Sequence, residues 1–335
     1  PPWATATCRL FDGSGRPVRT CAAAAQAAGR GSLGPQAGAG AAGAGPALYL
    51  VPPGREFLWP TIDIGHKTVI SHIVPPVGAP IAVETLAHAP RLFRVSNFFS
   101  EAEAAALTRQ VAPGNEARNQ FTLRLGGPVI TLANGTTIDL KRTSESGFDV
   151  ASKTAIDLKQ RAFKLLGIER YDETWADGVQ VLRYNKSAAY NKHFDYVDPQ
   201  VDPNHNLDSK NGGTNRFATI LLYLSDVPLG GETFFSDVQG VADWPPDEEY
   251  AALWGEVQAR GAEWGLAPGS WQEAMVLHCR SRLAVSPRRG QALLFYNQLP
   301  DGSLDTRSMH GGCPVLEGEK WAANLWVWNG PRMGY

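Results

Sequence analysis

Hydrophobic and polar positions along the chain separate two regions of different character. In the first, short apolar runs stand between Pro and Gly turns. Leu48-Tyr49-Leu50-Val51, Phe57-Leu58-Trp59 and Thr68-Val69-Ile70-Ser71 read as short strands of this kind. Between them and the first residues, positions 22–47 are dominated by Ala and Gly. That composition buries little and reads as a flexible or loosely packed segment. A β-rich N-terminal extension is therefore expected over residues 1–88, and a second domain over 89–335.

The second region opens with the strand Arg91-Leu92-Phe93-Arg94-Val95. Ser100, with Glu103 three residues on, makes a capping box for a helix through Ala104-Ala105-Ala106-Leu107. Ala155, Ile156, Leu158, Ala162 and Leu165 fall at helical spacing and predict a longer helix over 151–166. Asn134-Gly135 reads as a hairpin turn between Val129-Ile130-Thr131-Leu132 and Thr136-Thr137-Ile138. Four apolar strands then follow at 179–184, 217–224, 292–296 and 323–328. Residues 237–275 interrupt them with Trp244, Trp254, Trp264 and Trp271, and read as a partly helical insertion whose tryptophans build a small core of its own. Helices first and strands later predict an α+β fold in which helices buttress one sheet.

Composition narrows the class without naming it. The chain of 335 residues is 43% hydrophobic and 19% charged, as in an ordinary globular protein. A formal net charge of −2 supplies no bulk basic field for nucleic acid. No apolar run approaches the roughly 18 residues that span a membrane. The sequence starts at Pro1 rather than Met, which reads as a processed or trimmed product whose leader or membrane anchor is not in view. Cys8, Cys21, Cys279 and Cys313 are compatible with two disulfides or with four unrelated thiols. Glycosylation tripeptides stand at Asn134-Gly135-Thr136 and Asn185-Lys186-Ser187.

The chemistry begins at Tyr190-Asn191-Lys192-His193-Phe194-Asp195-Tyr196. On a strand, residues two apart share a face, so His193 and Asp195 can aim an imidazole and a carboxylate at one ion. His-x-Asp alone is common by chance. A second histidine, His310, follows in Ser308-Met309-His310-Gly311-Gly312, with Lys320 ten residues beyond it. Two histidines and one carboxylate make the facial triad of non-haem iron(II) oxygenases, which leaves three positions open on the metal. Two suit a 2-oxo acid and the third suits O₂. A dicarboxylate also needs a cation at its far end, and Lys320 offers a compact charge on a long stem.

From about residue 91 to 330 the chain resembles the catalytic domain of prolyl 4-hydroxylases of the plant and algal type. The resemblance rests on several blocks in order. They are Arg183-Tyr184 with Tyr190-x-x-His193-x-Asp195-Tyr196, then Arg216 leading to Gly230-Gly231-Glu232-Thr233-Phe234-Phe235, then Pro287-Arg288-Arg289-Gly290-Gln291. Ser308-Met309-His310-Gly311-Gly312-Cys313-Pro314 and Gly318-Glu319-Lys320-Trp321 complete them. Ser187-Ala188-Ala189-Tyr190 departs from the Gly-Gln-x-Tyr that the family often carries, though Tyr190 is kept. The insertion at 237–275 is longer than the minimal enzyme of that family is expected to carry, and the N-terminal extension matches no part of it.

This resemblance implies a double-stranded β-helix, or jelly roll, with His193, Asp195 and His310 binding Fe(II) and Lys320 meeting 2-oxoglutarate. Tyr184 and Thr233 match positions that hydrogen-bond the cosubstrate. Arg216 and Trp326 match contacts to the peptide near its target proline, Tyr190 is expected to bind substrate as well, and Arg142-Thr143-Ser144 resembles part of a mobile loop over that peptide. Cys279 and Cys313 match a pair that is commonly a disulfide, which leaves Cys8 and Cys21 as the second pair. Asn185 falls in the metal-motif region and is expected to stay unglycosylated. The implied reaction is 4-hydroxylation of peptidyl proline with decarboxylation of 2-oxoglutarate to succinate, supported by ascorbate and O₂. A proline-rich substrate would arrive as a polyproline II helix, already extended. The expected setting is the secretory pathway, in the endoplasmic reticulum or Golgi lumen, or outside the cell, where disulfides persist. Hydroxylation of another residue such as lysine, and a non-catalytic subunit that binds proline-rich chains, are the alternatives. Oligomeric state is left open.

Overall fold

In the computed structural model, residues 8–20, 48–110, 129–131, 137–139, 142–238, 247–281 and 283–334 are described. The Ala/Gly-rich segment 22–47, Cys21, Trp244 and the turn at Asn134-Gly135 lie outside them. Among the described residues no helix is long and apolar enough to cross a membrane.

Strands β1 (Arg9–Asp12) and β2 (Leu48–Val51) pair with each other. Strands β3 (Lys67–Ile70), β4 (Ile81–Ala87) and β5 (Leu92–Ser96) form an antiparallel meander. In β4 every second residue from Ile81 to Ala87 is buried, the signature of a strand with one face in a core. Helix α1 (Glu101–Gln110) starts at the expected capping box, where the Ser100 N–H donates to Glu103 Oε2 at 2.8 Å and the Glu103 N–H to Ser100 Oγ at 3.2 Å. Strands β6 (Val129–Thr131) and β7 (Thr137–Asp139) pair as a hairpin, and β8 (Glu145–Asp149) precedes helix α2 (Lys153–Leu165).

The remaining strands are β9 (Val179–Tyr184), β10 (Tyr190–His193), β11 (Arg216–Tyr223), β12 (Leu229–Gly230) and β13 (Thr233–Phe235). After the helices α3 (Asp247–Arg260) and α4 (Trp271–Ser281) come β14 (Leu283–Val285), β15 (Gln291–Tyr296), β16 (His310–Gly312), β17 (Val315–Glu317) and β18 (Lys320–Trp328). They form an eight-stranded sheet in the order β3-β4-β5-β15-β11-β18-β9-β8 and a four-stranded sheet in the order β10-β16-β13-β14.

Parity sorts the central strands between two cores. Ile220, Leu222, Leu294, Ala323, Leu325 and Val327 join the cluster shared with α1 and α2. Their neighbours Leu221, Tyr223, Leu293, Phe295 and Ala322 join a second cluster between the two sheets. Strands buried on both faces read as continuous apolar runs, which is why Phe217–Leu224 shows no alternation in sequence. Two facing sheets with helices packed behind the larger one make the double-stranded β-helix jelly roll, an α+β fold.

Three expectations change. Phe57-Leu58-Trp59 is not a strand. Phe57 and Trp59 are buried and plug the helix-side core: the Trp59 N–H donates to Tyr296 Oη at 3.0 Å and its indole N–H to the Leu165 carbonyl at 2.9 Å. Alternating burial here needs no strand partner, because side-chain packing and two hydrogen bonds hold the segment. Gly167, at φ +67°, lets this plug approach; a Cβ there would lie 2.8 Å from the Phe11 ring.

The boundary expected at 88/89 falls inside one continuous sheet. β4 pairs directly with β5, and Phe11, Phe57 and Trp59 share a core with α2. The insertion is helical as expected but runs to Ser281, past 275. Trp264 anchors its own cluster with Val257, Leu266, Val276 and Leu277, whereas Trp254 is exposed.

Cys279 and Cys313 are joined, tying α4 to the end of β16. Among the described residues Cys8 is an exposed thiol without a disulfide, and its expected partner Cys21 lies outside them. The bond closes a separation of 34 residues. Cys279→Ser is therefore expected to destabilise the fold by roughly 2–5 kcal/mol, read as a lower thermal midpoint without reductant. Equal midpoints for variant and wild type would refute this.

Candidate active site

His193 and His310 are direct partners across β10 and β16, and their ring centroids lie 4.5 Å apart. Asp195 is not on the strand, as expected from sequence, but in the bend after it, since β10 ends at His193. The β10–β16 pairing is irregular between Tyr190 and His193, ahead of that bend. The bend still brings Asp195 Oδ1 to 3.6 Å from His193 Nε2 and Oδ2 to 3.5 Å from His310 Nε2. Donor atoms of all three lie within 4.8 Å of one another, and all three residues are buried.

The tautomers follow from the backbone. His193 Nδ1 lies 2.8 Å from the Asn191 carbonyl oxygen and His310 Nδ1 2.9 Å from that of Ser308. A carbonyl only accepts, so each Nδ1 carries the proton and each Nε2 turns a lone pair toward the cluster. Burial, reinforced by His310 alongside, pushes His193 down to about 3, so it is neutral and ready to ligate at neutral pH. Burial alone would raise the Asp195 carboxyl, but His310, His193 and Arg216 outweigh it and hold it below the usual carboxylate range. Two imidazoles and one ionised carboxylate fit a divalent iron ion, and such a triad leaves positions open for other ligands.

The second feature is a buried lysine on β18. Lys320 begins β18 opposite Tyr184 of β9 and is only 2% exposed. Its Nζ lies 5.1 Å from the Tyr184 ring centroid and 5.6 Å from that of Tyr223. Burial lowers it to about 8, partly offset by Glu232. Thr233, buried on β13, sits 2.9 Å from the Tyr223 hydroxyl, which also lies 3.2 Å from the Val285 carbonyl oxygen. A buried ammonium flanked by hydroxyls is a subsite for a carboxylate.

Around the triad stand the expected substrate residues. Arg216 Nε donates to Asp177 Oδ2 at 2.8 Å, its Nη1 donates to the Asp195 carbonyl at 3.1 Å, and its guanidinium lies 3.8 Å from the Trp326 ring centroid. Tyr190 stacks on His193 at 3.7 Å, with Arg142 5.4 Å from the Tyr190 ring centroid. Arg142, Thr143 and Ser144 are pinned rather than loose. Arg142 bridges to Tyr190, the Thr143 N–H donates to the Ala189 carbonyl at 2.9 Å, and Ser144 is fully buried.

Sequence reasoning missed Asp177, Thr219, Tyr223 and Asn297. Thr219 Oγ1 donates to Asp195 Oδ2 at 2.8 Å and accepts from Asn297 Nδ2 at 3.1 Å. A signal existed for Thr219: it is the one aliphatic hydroxyl within the apolar run Phe217–Leu224.

A buried metal triad in a jelly roll, together with a buried cation on β18, defines an iron(II)- and 2-oxoglutarate-dependent oxygenase. Residues 179–328 match the family model described as the 2OG-Fe(II) oxygenase superfamily. Over 248 residues the chain is 30% identical to Probable prolyl 4-hydroxylase 7 of Arabidopsis thaliana, spanning 74% of this chain and 66% of that protein. Over 247 residues it is 31% identical to Prolyl 4-hydroxylase 5 of the same plant, spanning 73% and 70%. Among solved structures, the viral collagen prolyl hydroxylase of Paramecium Bursaria Chlorella virus-1 aligns with a TM-score of 0.41 and 19% identity, over 71% of this chain and 95% of that one. The chain belongs to the prolyl 4-hydroxylase family.

Proposed function

We propose that this protein hydroxylates proline at the 4-position within a proline-rich polypeptide, consuming O₂ and 2-oxoglutarate and yielding succinate and CO₂. The observation that carries the reading is the pairing of the buried His193–Asp195–His310 triad with the Arg216–Trp326 stack beside it. Bound iron(II) would supply the oxidising chemistry. The chain's own residues then divide the remaining work. Lys320, Tyr184 and Thr233 hold the far carboxylate of the cosubstrate and set its reach. Tyr190, Arg142, Arg216 and Trp326 form an aromatic and cationic mouth that suits an extended polyproline II chain. Asp177 fixes the Arg216 guanidinium, so that mouth is rigid before substrate arrives. Ascorbate is the expected reductant, and the Cys279–Cys313 disulfide supports an oxidising compartment such as the secretory pathway.

The test is coupled turnover with iron(II), 2-oxoglutarate, ascorbate and a polyproline peptide. A gain of one oxygen located on proline, matched by succinate, supports the reading. Oxygen placed on lysine of a mixed peptide moves the assignment to another residue, and peptide binding without succinate makes the protein a binding subunit.

The Lys320 subsite also sets a pH dependence. A carboxylate needs the ammonium form, which burial brings down to about 8 in the unliganded protein. Below that pH the lysine is already charged and cosubstrate binding is insensitive to pH. Above it, binding must take up a proton, so KM for 2-oxoglutarate is expected to rise by about tenfold per pH unit. A KM that stays flat between pH 7 and 9.5 would contradict this assignment.

A further inference from the structure

We propose that Thr219 and Asn297 are positioning residues that commit one oxygen of Asp195 to a hydrogen bond and leave the other as a single-point metal ligand. The inference rests on the iron and 2-oxoglutarate reading above.

The geometry is directional. Inward parity on β11 sends Thr219 toward the triad, and Thr219, Asn297 and Asp195 are all buried. A hydroxyl has one proton and an ionised carboxylate only accepts, so the Thr219 proton points at Asp195 Oδ2 across 2.8 Å. The Asn297 amide donates to the same hydroxyl oxygen across 3.1 Å, which fixes the rotor. Asp195 Oδ1 faces His193 Nε2 across 3.6 Å, while Oδ2, the oxygen that accepts from Thr219, lies 3.5 Å from His310 Nε2.

A second observation supports the use of Asn297. Its Oδ1 is buried with no hydrogen-bond partner. A half-satisfied buried amide is a liability of about 1–3 kcal/mol. Holding one there makes sense if its donor half has a task, and the visible task is the Thr219 rotor.

The consequence concerns the number of open positions. A carboxylate that binds iron through both oxygens fills two of six sites. With two imidazoles it would leave two, enough for a 2-oxo acid but not for O₂ as well. A carboxylate restricted to one oxygen leaves three. Thr219 thus protects the coordination space that the cosubstrate and O₂ must share.

The experiment uses the full chain under anaerobic conditions. Iron(II) and then 2-oxoglutarate are titrated into wild type, Thr219→Val, Thr219→Ser and Asn297→Ala, following iron affinity and the charge-transfer absorption of the iron–2-oxoglutarate chelate. Valine keeps the shape of threonine and deletes only the hydrogen bond. Thr219→Val is expected to bind iron within about threefold of wild type while its 2-oxoglutarate affinity falls about 10–100-fold. Thr219→Ser should restore the chelate, and Asn297→Ala should fall between. The proposal is overturned if Thr219→Val chelates 2-oxoglutarate like wild type, or if iron binding alone is lost. Should Thr219→Val fail to fold, an Asn297→Ala chelate equal to wild type overturns it instead. Absence of the absorption in wild type would sink the cofactor reading itself, a distinct result.

Discussion

His193→Ala is expected to leave a folded protein that holds no iron after gel filtration and turns over no 2-oxoglutarate. His193 is neutral in the fold and sits at the end of the edge strand β10, so its removal deletes a ligand without stranding a charge. What it leaves, Asp195 and His310, is two donors where the site presents three. Stability of the metal-free protein should change by no more than about 0.5–3 kcal/mol, the ordinary range for a single substitution. Metal analysis and circular dichroism on the same sample decide the matter. A folded variant that keeps stoichiometric iron would remove His193 from the ligand set.

Lys320→Ala gives the second large effect, in a different parameter. The ammonium lies between the Tyr184 and Tyr223 rings in a nearly dry space. Truncating one partner of a buried charge pair costs about 2–5 kcal/mol, because the other charge is left uncompensated. KM for 2-oxoglutarate should therefore rise roughly 30-fold to several thousandfold, while iron affinity stays near that of wild type. Iron lost together with 2-oxoglutarate would mean that Lys320 supports the triad rather than the cosubstrate.

The parts of this site that were legible in sequence are those whose chemistry is rare. A second histidine and a lysine at fixed offsets from His-x-Asp have few other uses; the fold gathers His193, Asp195 and His310 into one cluster and buries Lys320 beside Tyr184. The strands were legible where they are central, because burial on both faces leaves long apolar runs such as Phe217–Leu224. Legibility failed where a role depends on three-dimensional neighbours. Asn297 and Asp177 are ordinary polar residues until β15 and the segment before β9 place them against Thr219 and Arg216. Phe57 and Trp59 mimic a strand because alternate side chains enter the core, yet among the described residues they pair with no strand. Asp195 sits past the strand end, in a bend that simple alternation does not describe. Arg142-Thr143-Ser144 looks like loop in sequence and is held by Ala189 and Tyr190, which local patterns do not reveal.

The continuous sheet across residue 88 bears on how this enzyme can be cut. Removing everything before β5 would strip β3 and β4 from one side and bare a five-residue row of unpaired amides and carbonyls. It would also empty the space now filled by Phe57 and Trp59 behind Tyr296. Such an edge templates association with other chains, and such a void loosens the sheet that carries Thr219 and Lys320. The catalytic half is thus expected to aggregate when produced from residue 89 onward. Its solubility belongs to the segment that carries none of its chemistry.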